Sequence, residues 1–550
     1  MNKSLVVVFI TSFVTLLATA AENSRTWERY DESADLALLG QHENERMHFK
    51  LLNSKVLDKN FLWAPFADDL ANFSEATYIS MKPMILDRSI GELQQSVSSG
   101  ALTYEQLVTF YIYRIREIES DNSLYLNGVI ALNPDAINRA RRLDEFRQLG
   151  TAVLDDSIFG IPVLLKDNIN AAGMATTAGA IALQNNFADN AFITERLLEK
   201  GAVIIGKANL SEWAYFFCND CPSGYSAMGG QTLNPYGRFQ FGTGGSSSGS
   251  GASTAANYAT VAVGSETSGS ILSPSSANSL VGLKPTTGSI SRTGVVPISA
   301  SLDTTGPMTR SVADLVILFN AMAGYDATDT AMPLISADMQ LVYREVSLVG
   351  KRLGAQVRYA DNEFYQNALM LLSANEASIV DVNFEAQRQP QFGEFLGVEM
   401  KRDLALYLEQ HAGDEILIDS IASLKVFNEQ DMDIRAPYGQ AEIDMMDELN
   451  YNGAEIEELR AEIQGNARFQ LDRIFEELNI DVLISVNNQQ AGIAALANYP
   501  ALTIPMGYEE DGRPISITFI APSFQEQLLI DVGVQFERLT EARQTPTDYM

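Results

Sequence analysis

Two glycine- and serine-rich segments, separated by a run of alanines, constrain this chain more than any other feature. The first, Phe241–Thr254, reads FGTGGSSSGSGAST, and ten of its fourteen residues are Gly or Ser. The second, Gly264–Ser276, reads GSETSGSILSPSS. A linker would lead into something unrelated. Here Ala252, Ala255, Ala256 and Ala259 follow at helical spacing, a small-residue face that lets a helix approach its neighbours closely. Thr260–Val263 then reads as a strand delivering the second segment, and Pro274 suits the first turn of another helix. Glycine-rich backbone can also turn several N–H groups towards one point, which suits an anion or an oxyanion.

Around this unit, short apolar runs alternate with helical periodicity. Leu107, Phe110, Tyr111, Tyr113, Ile115 and Ile118 populate one helical face, after a capping signal at Thr103 and Gln106. Apolar runs at 161–165, 202–205 and 280–283 each stop at a lysine shortly afterwards: Lys166, Lys207 and Lys284. β-branched runs with helices between them predict one large α/β domain whose central sheet is mixed but largely parallel, with helices on both faces. Residues 21–86 read as a helical lead-in without recognisable chemistry, residues 87–541 as the main domain, and the acidic stretch 326–480 as a helical cover.

The 550 residues carry 38 Lys+Arg against 70 Asp+Glu, a net charge of −32. Binding a phosphate backbone needs basic clusters, so nucleic acid is not an expected partner. The start of the chain reads as an export signal. Lys3 precedes the uncharged run Leu5–Ala18, and Ala18-Thr19-Ala20 offers small-residue cleavage, giving a signal peptide over 1–20. Fourteen apolar residues are short for a membrane span, so no stable insertion is expected after cleavage and the location is periplasmic or secreted. The two cysteines, Cys218 and Cys221, read as a small-loop disulfide or two idle thiols, and no metal site is expected from so few ligands. The oligomeric state is not legible.

A serine in these loops needs a base. The chain has three histidines, His42, His48 and His411, none near either loop in sequence. Gly245-Ser246-Ser247-Ser248-Gly249 matches a G-x-S-x-G elbow, which would make Ser247 a nucleophile with His411 as its base, an esterase-like alternative. Without histidine, an amine can act, provided burial lowers its pKa. Lys166, Lys207 and Lys284 all stand at strand ends, where open α/β sheets place ligands. The residues alone do not choose among the three.

The segments GIPVLLKDNI, GTGGSSSGSGAS and GSETSGSILSPSSANSLVGLKPTTG resemble the amidase signature family of serine hydrolases. The resemblance extends in order through GAVIIGKANLSEWA, SLDTTGPMTRSVADL and YPALTIPMGYEEDGRPISI. It implies an amidase signature fold and hydrolysis of an amide to an acid plus ammonia or amine, without a cofactor. It implies catalytic roles for Lys166, for Ser246 in a cis peptide, and for the nucleophile Ser270. It further implies an oxyanion hole from the backbone N–H groups of Thr267, Ser268, Gly269 and Ser270. Many members have Asp-Thr-Gly-Gly before the nucleophile and Arg two residues after it; this chain has Glu266-Thr267-Ser268-Gly269 and Leu272. That variation is similar to the branch of bacterial peptide amidases, which implies a small-molecule or peptide amide substrate, including C-terminal peptide amides. The competing class is a non-catalytic binding protein on the same fold.

Overall fold

Eleven of thirteen strands join in one sheet in the computed structural model, which describes residues 25–150, 153–387 and 389–550. The signal-like segment 1–20 lies outside the described residues. In chain order the first strands are β1 (Val129–Leu132), β2 (Pro162–Lys166), β3 (Val203–Ala208), β4 (Tyr225–Ser226), β5 (Gly230–Gln231) and β6 (Val261–Glu266). Next come β7 (Val281–Lys284), β8 (Thr304–Thr309), β9 (Arg352–Gln356) and β10 (Ser378–Val382). The last are β11 (Val482–Val486), β12 (Ala501–Tyr508) and β13 (Pro514–Ile520). The sheet runs β1-β3-β2-β6-β8-β7-β12-β13-β11-β9-β10, and β4 and β5 form a separate small ladder.

The sheet is mixed, with less parallel pairing than the apolar runs suggest. Parallel ladders join β2 to β3 and β6, and β9 to β10 and β11. The other six ladders are antiparallel. Parallel neighbours need a long crossover, whereas β12 turns back into β13 across residues 509–513. The strand expected to end at Val263 also continues to Glu266, because Gly264, Ser265 and Glu266 pair with Gly306, Thr305 and Thr304.

The acidic stretch 326–480, expected as a helical cover, also supplies β9 and β10 at one edge of the sheet. Their strand signal is brief, chiefly Leu353 and the run Ile379, Val380 and Val382, among much longer helices. Phe392–Gln410 and Gly453–Glu477 bury Phe395, Met400, Leu404, Ile463 and Leu471 in one cluster with Trp213, Leu272 and Ile493.

The helix of small residues, Ser248–Ala255, is buried along its whole length. Gly249 shows why its residues are small. A Cβ there would lie 2.4 Å from the backbone N and O of Asn209 and 2.5 Å from the carbonyl of Gly128. Any side chain would push the helix away from the ends of the strands. The helix Leu272–Ala277 follows, with Pro274 in its first turn. The lead-in is tied to this core by buried charge: Lys59 donates to Glu119 at 2.7 Å, and the same carboxylate accepts N–H groups from Leu126, Asn127 and Gly128. Among the described residues no helix is long and apolar enough to cross a membrane.

Candidate active site

The three strand-end lysines have separate fates. Lys207 is fully buried, 3.2 Å from Asp167 Oδ1, and donates to the Ile169 carbonyl and Thr176 Oγ1. That is a paired charge holding the turn after β2. Lys284 donates to the carbonyl of Tyr499 at 2.9 Å. Only Lys166 reaches a serine of the Gly-Ser loops.

Lys166 has no exposed surface, and its Nζ donates to Ser246 Oγ at 2.7 Å, Ser265 Oγ at 2.9 Å and the Ser265 carbonyl at 3.1 Å. Asn168 donates to Ser265 Oγ at 2.9 Å and so fixes the hydroxyl beside the amine. Burial pulls the Lys166 pKa down from its ordinary value to about 7, against the weaker opposing pull of Asp303 and Glu266. Among the described residues no carboxylate touches the ammonium. A neutral amine here has two N–H donors and one lone pair, enough to hold Ser265 and accept a proton from Ser246.

Ser246 follows a cis peptide from Gly245 and is 1% exposed, and its carbonyl accepts the Ser211 N–H at 3.0 Å. Gly244, at φ +65°, makes the tight entry; a Cβ there would lie 2.7 Å from the Ser273 backbone. The two loops are stitched together by the Ser247 N–H, which donates to the Ser270 carbonyl at 3.2 Å. Ser270 is 8% exposed, lines the cleft, and its hydroxyl makes no protein hydrogen bond among the described residues. The amine–Ser246 contact is therefore closed in this state, and the Ser246–Ser270 contact is not. Catalytic hydrogen bonds often tighten only once substrate is bound.

Of the four N–H groups expected to form an oxyanion hole, one is already taken. Gly269 donates to Glu266 Oε1 at 2.6 Å, which removes it from the set. Thr267, Ser268 and Ser270 donate their N–H groups to no protein acceptor among the described residues, and all three line the cleft. Glu266 also accepts the N–H groups of Ile271 at 2.7 Å and Leu272 at 3.0 Å. One buried carboxylate thus braces the backbone on both sides of Ser270, and burial raises its pKa. Asp303 braces the other side through Thr267 Oγ1 at 2.5 Å, and its own carboxyl is pushed up to about 6 by burial. Glu266 and Asp303 escaped the sequence reading as site residues, although Glu266 sits inside the quoted motif.

The elbow alternative does not survive the geometry. Ser247 Oγ donates to the Ser265 carbonyl at 3.0 Å and has no exposed surface. His411 caps the far end of Phe392–Gln410, stacks near Tyr407 and lines a different pocket, with Arg292 and Asp403. No hydrogen bond joins His411 to Ser247 among the described residues.

The cleft above Ser270 has a volume of about 430 Å³, within the usual range for a small-molecule site. Phe49, Phe216, Ile298, Phe392 and Leu396 give it apolar walls. Trp213, Ala214 and Tyr215 all take left-handed backbone conformations at its edge, with φ of +50°, +54° and +77°. Such a run is costly for residues with side chains, about 1–3 kcal/mol each. It is held by the buried Trp213 ring and by the Trp213 N–H to the Ala178 carbonyl at 2.9 Å. Cys218 and Cys221 form a disulfide just beyond this turn. Among the described residues no group of three or more His, Cys, Asp or Glu side chains is placed to hold a metal ion.

Comparison with known proteins agrees with this architecture over most of the chain. The family model described as Amidase matches residues 106–491. A probable amidase from Arabidopsis thaliana is 34% identical over 478 residues, covering 84% of this chain and 92% of the relative. An amidase family protein from Bacillus anthracis str. Ames superposes with a TM-score of 0.83 at 33% identity, over 90% of this chain and all of that one. The native peptide amidase from Stenotrophomonas maltophilia superposes with a TM-score of 0.75 at 36% identity, over 84% and 98% of the two chains. With the family match spanning more than half its length, the chain belongs to the amidase family and is a hydrolase of amide C–N bonds.

Proposed function

We propose that this amidase works through a seryl acyl-enzyme, with Ser270 as nucleophile, Ser246 as proton relay and Lys166 as base, and that it acts on C-terminal amides of peptides. The observation that carries the mechanism is the fully buried amine of Lys166, without a carboxylate partner among the described residues and 2.7 Å from Ser246 Oγ. In its neutral form it accepts the Ser246 proton while Ser246 accepts that of Ser270. Ser270 Oγ then bonds to the amide carbon, and the electron pair of the C=O moves onto oxygen. The free N–H groups of Thr267, Ser268 and Ser270 face that charge, each donor contributing roughly 10²–10³ in rate. The proton returns through Ser246 to the nitrogen, the C–N bond breaks, and ammonia leaves neutral. Water repeats the sequence in reverse and releases the acid.

The substrate class rests on the likeness to the Stenotrophomonas peptide amidase and on an apolar-walled cleft with room for an acyl chain. A panel of short-chain, aryl, fatty and peptide C-terminal amides tests it by ammonia or amine release. Peptide amides should show the highest kcat/KM; inert peptide amides beside active aryl or fatty amides would overturn the substrate reading. Export is part of the same proposal, supported by the signal-like start and by a disulfide between the only two cysteines. The mature chain should begin at Ala21 on N-terminal sequencing, and a start at Met1 would contradict export.

A further inference from the structure

The cleft around Ser270 has a wall that lies outside the family match. Asn44, Arg46, Met47 and Phe49 line it together with the Gly-Ser loops, although the sequence gives residues 21–86 no chemistry. This wall is ordered. Glu45–Met47 is a single 3₁₀ turn whose N-cap, Asn44, accepts the Arg46 N–H at 3.1 Å. Met47 and Phe49 are buried on either side of His48, and the Lys50 N–H donates to the Tyr438 hydroxyl at 2.7 Å. The arginine therefore stands on a fixed base.

Among the described residues, Arg46 is the only charged one lining the cleft. The chain carries 70 acids against 38 Lys and Arg, yet none of those acids pairs with Arg46 among the described residues. Most arginines of this protein that border a cavity are paired: Arg292 with Asp329, Arg310 and Arg543 with Asp87, Arg88 with Glu92. A second cavity continues from the first, sharing Asn44, Gly242, Ser273 and Asn488 with it, so the whole forms a groove able to take an extended chain. The guanidinium is thus available for an anion that a substrate brings into the cleft. A guanidinium presents a planar fork that matches a carboxylate.

We infer that Arg46 is a specificity residue that binds a carboxylate carried by the acyl part of the substrate. This rests on the peptide-amide reading in one respect: with ammonia as the leaving group, only the acyl side can carry the anion. The favoured substrates are then amidated peptides with Asp or Glu near the amidated end.

The test uses the full chain and two matched substrate series. One is amidated tripeptides differing only in Glu, Gln or Lys; the other is the monoamide of a dicarboxylic acid against the neutral alkyl amide of equal length. The readout is the ratio of kcat/KM for anionic over neutral substrate, measured by ammonia release. In the wild type the ratio should exceed one. Arg46→Ala should lower it roughly two- to fivefold, mainly through KM, the range for an ion pair at an exposed arginine. Arg46→Glu should turn the preference towards the Lys peptide. High salt should compress the wild-type ratio. A ratio that Arg46→Ala leaves unchanged overturns the inference, whichever amides are cleaved. If neither Glu nor Gln peptide releases ammonia, the peptide reading fails by itself, and the monoamide pair still decides the role of Arg46.

Discussion

Ser270→Ala should lose amide turnover by a factor on the order of 10⁴–10⁶, while remaining folded. Removing a nucleophile that acts as a unit with its base and relay costs about as much as removing the whole set. The residual rate would come from the N–H groups of Thr267, Ser268 and Ser270 and from binding alone. Stability should barely move, because the Ser270 hydroxyl makes no hydrogen bond among the described residues, so its loss leaves none of them unsatisfied. The backbone around it keeps its braces, since Glu266 holds Gly269, Ile271 and Leu272 through main-chain N–H groups. Ammonia release and thermal unfolding on the same preparation separate the two effects. A wild-type chain mixed with a slowly turned-over amide should also gain the acyl mass on the peptide containing Ser270, and the variant should not. Turnover retained at a tenth of wild type would assign the nucleophile elsewhere.

The second large effect is expected at Lys166. Lys166→Met keeps the shape of the chain in a fully buried slot but removes the lone pair that would accept the Ser246 proton. General-base catalysis by one positioned group contributes typically 10²–10⁴, and here the relay through Ser246 fails along with it. A loss of at least 10³ in kcat, with KM nearly unchanged, is the expected result. Lys166→Arg should be as damaging, because a guanidinium stays protonated at all working pH values. Equal activity in Lys166→Arg would remove the neutral amine from the account. Lys207 is the contrast: burial lowers its pKa as well, but Asp167 beside it opposes that pull, and its amine reaches the Ile169 carbonyl and Thr176 rather than a serine of the Gly-Ser loops.

Much of the fold was legible because local signals agreed. The capping box at Thr103 and Gln106 starts the helix Tyr104–Glu119, and the alanine-rich helix packs as its small residues demand. Parallel pairing was overestimated because short apolar runs look alike whichever way their neighbours run; only the tertiary ladder distinguishes β7 and β12 from β2 and β3. The edge strands β9 and β10 were hidden by helix formers around them. At the site, three lysines shared one local pattern, and only tertiary placement separates them: Lys166 reaches Ser246, Lys207 pairs with Asp167, and Lys284 reaches the Tyr499 carbonyl. The Gly269 N–H could not be assigned from a motif either, since its engagement depends on where the Glu266 side chain turns. The wall at 44–49 was invisible for the same reason. It is remote in sequence and ordinary in composition, and folding alone brings it beside Ser270.

The Lys166 amine must be neutral when it works, and the pH dependence of acylation tests this most directly. Burial sets its pKa near 7, so the protonated fraction, which cannot accept a proton, grows below that value. The pre-steady-state acylation rate of the wild type should therefore be constant above about pH 8 and fall tenfold per unit well below 7, with a midpoint near 7. An acylation rate that stays level from pH 5 to pH 9 would contradict the account.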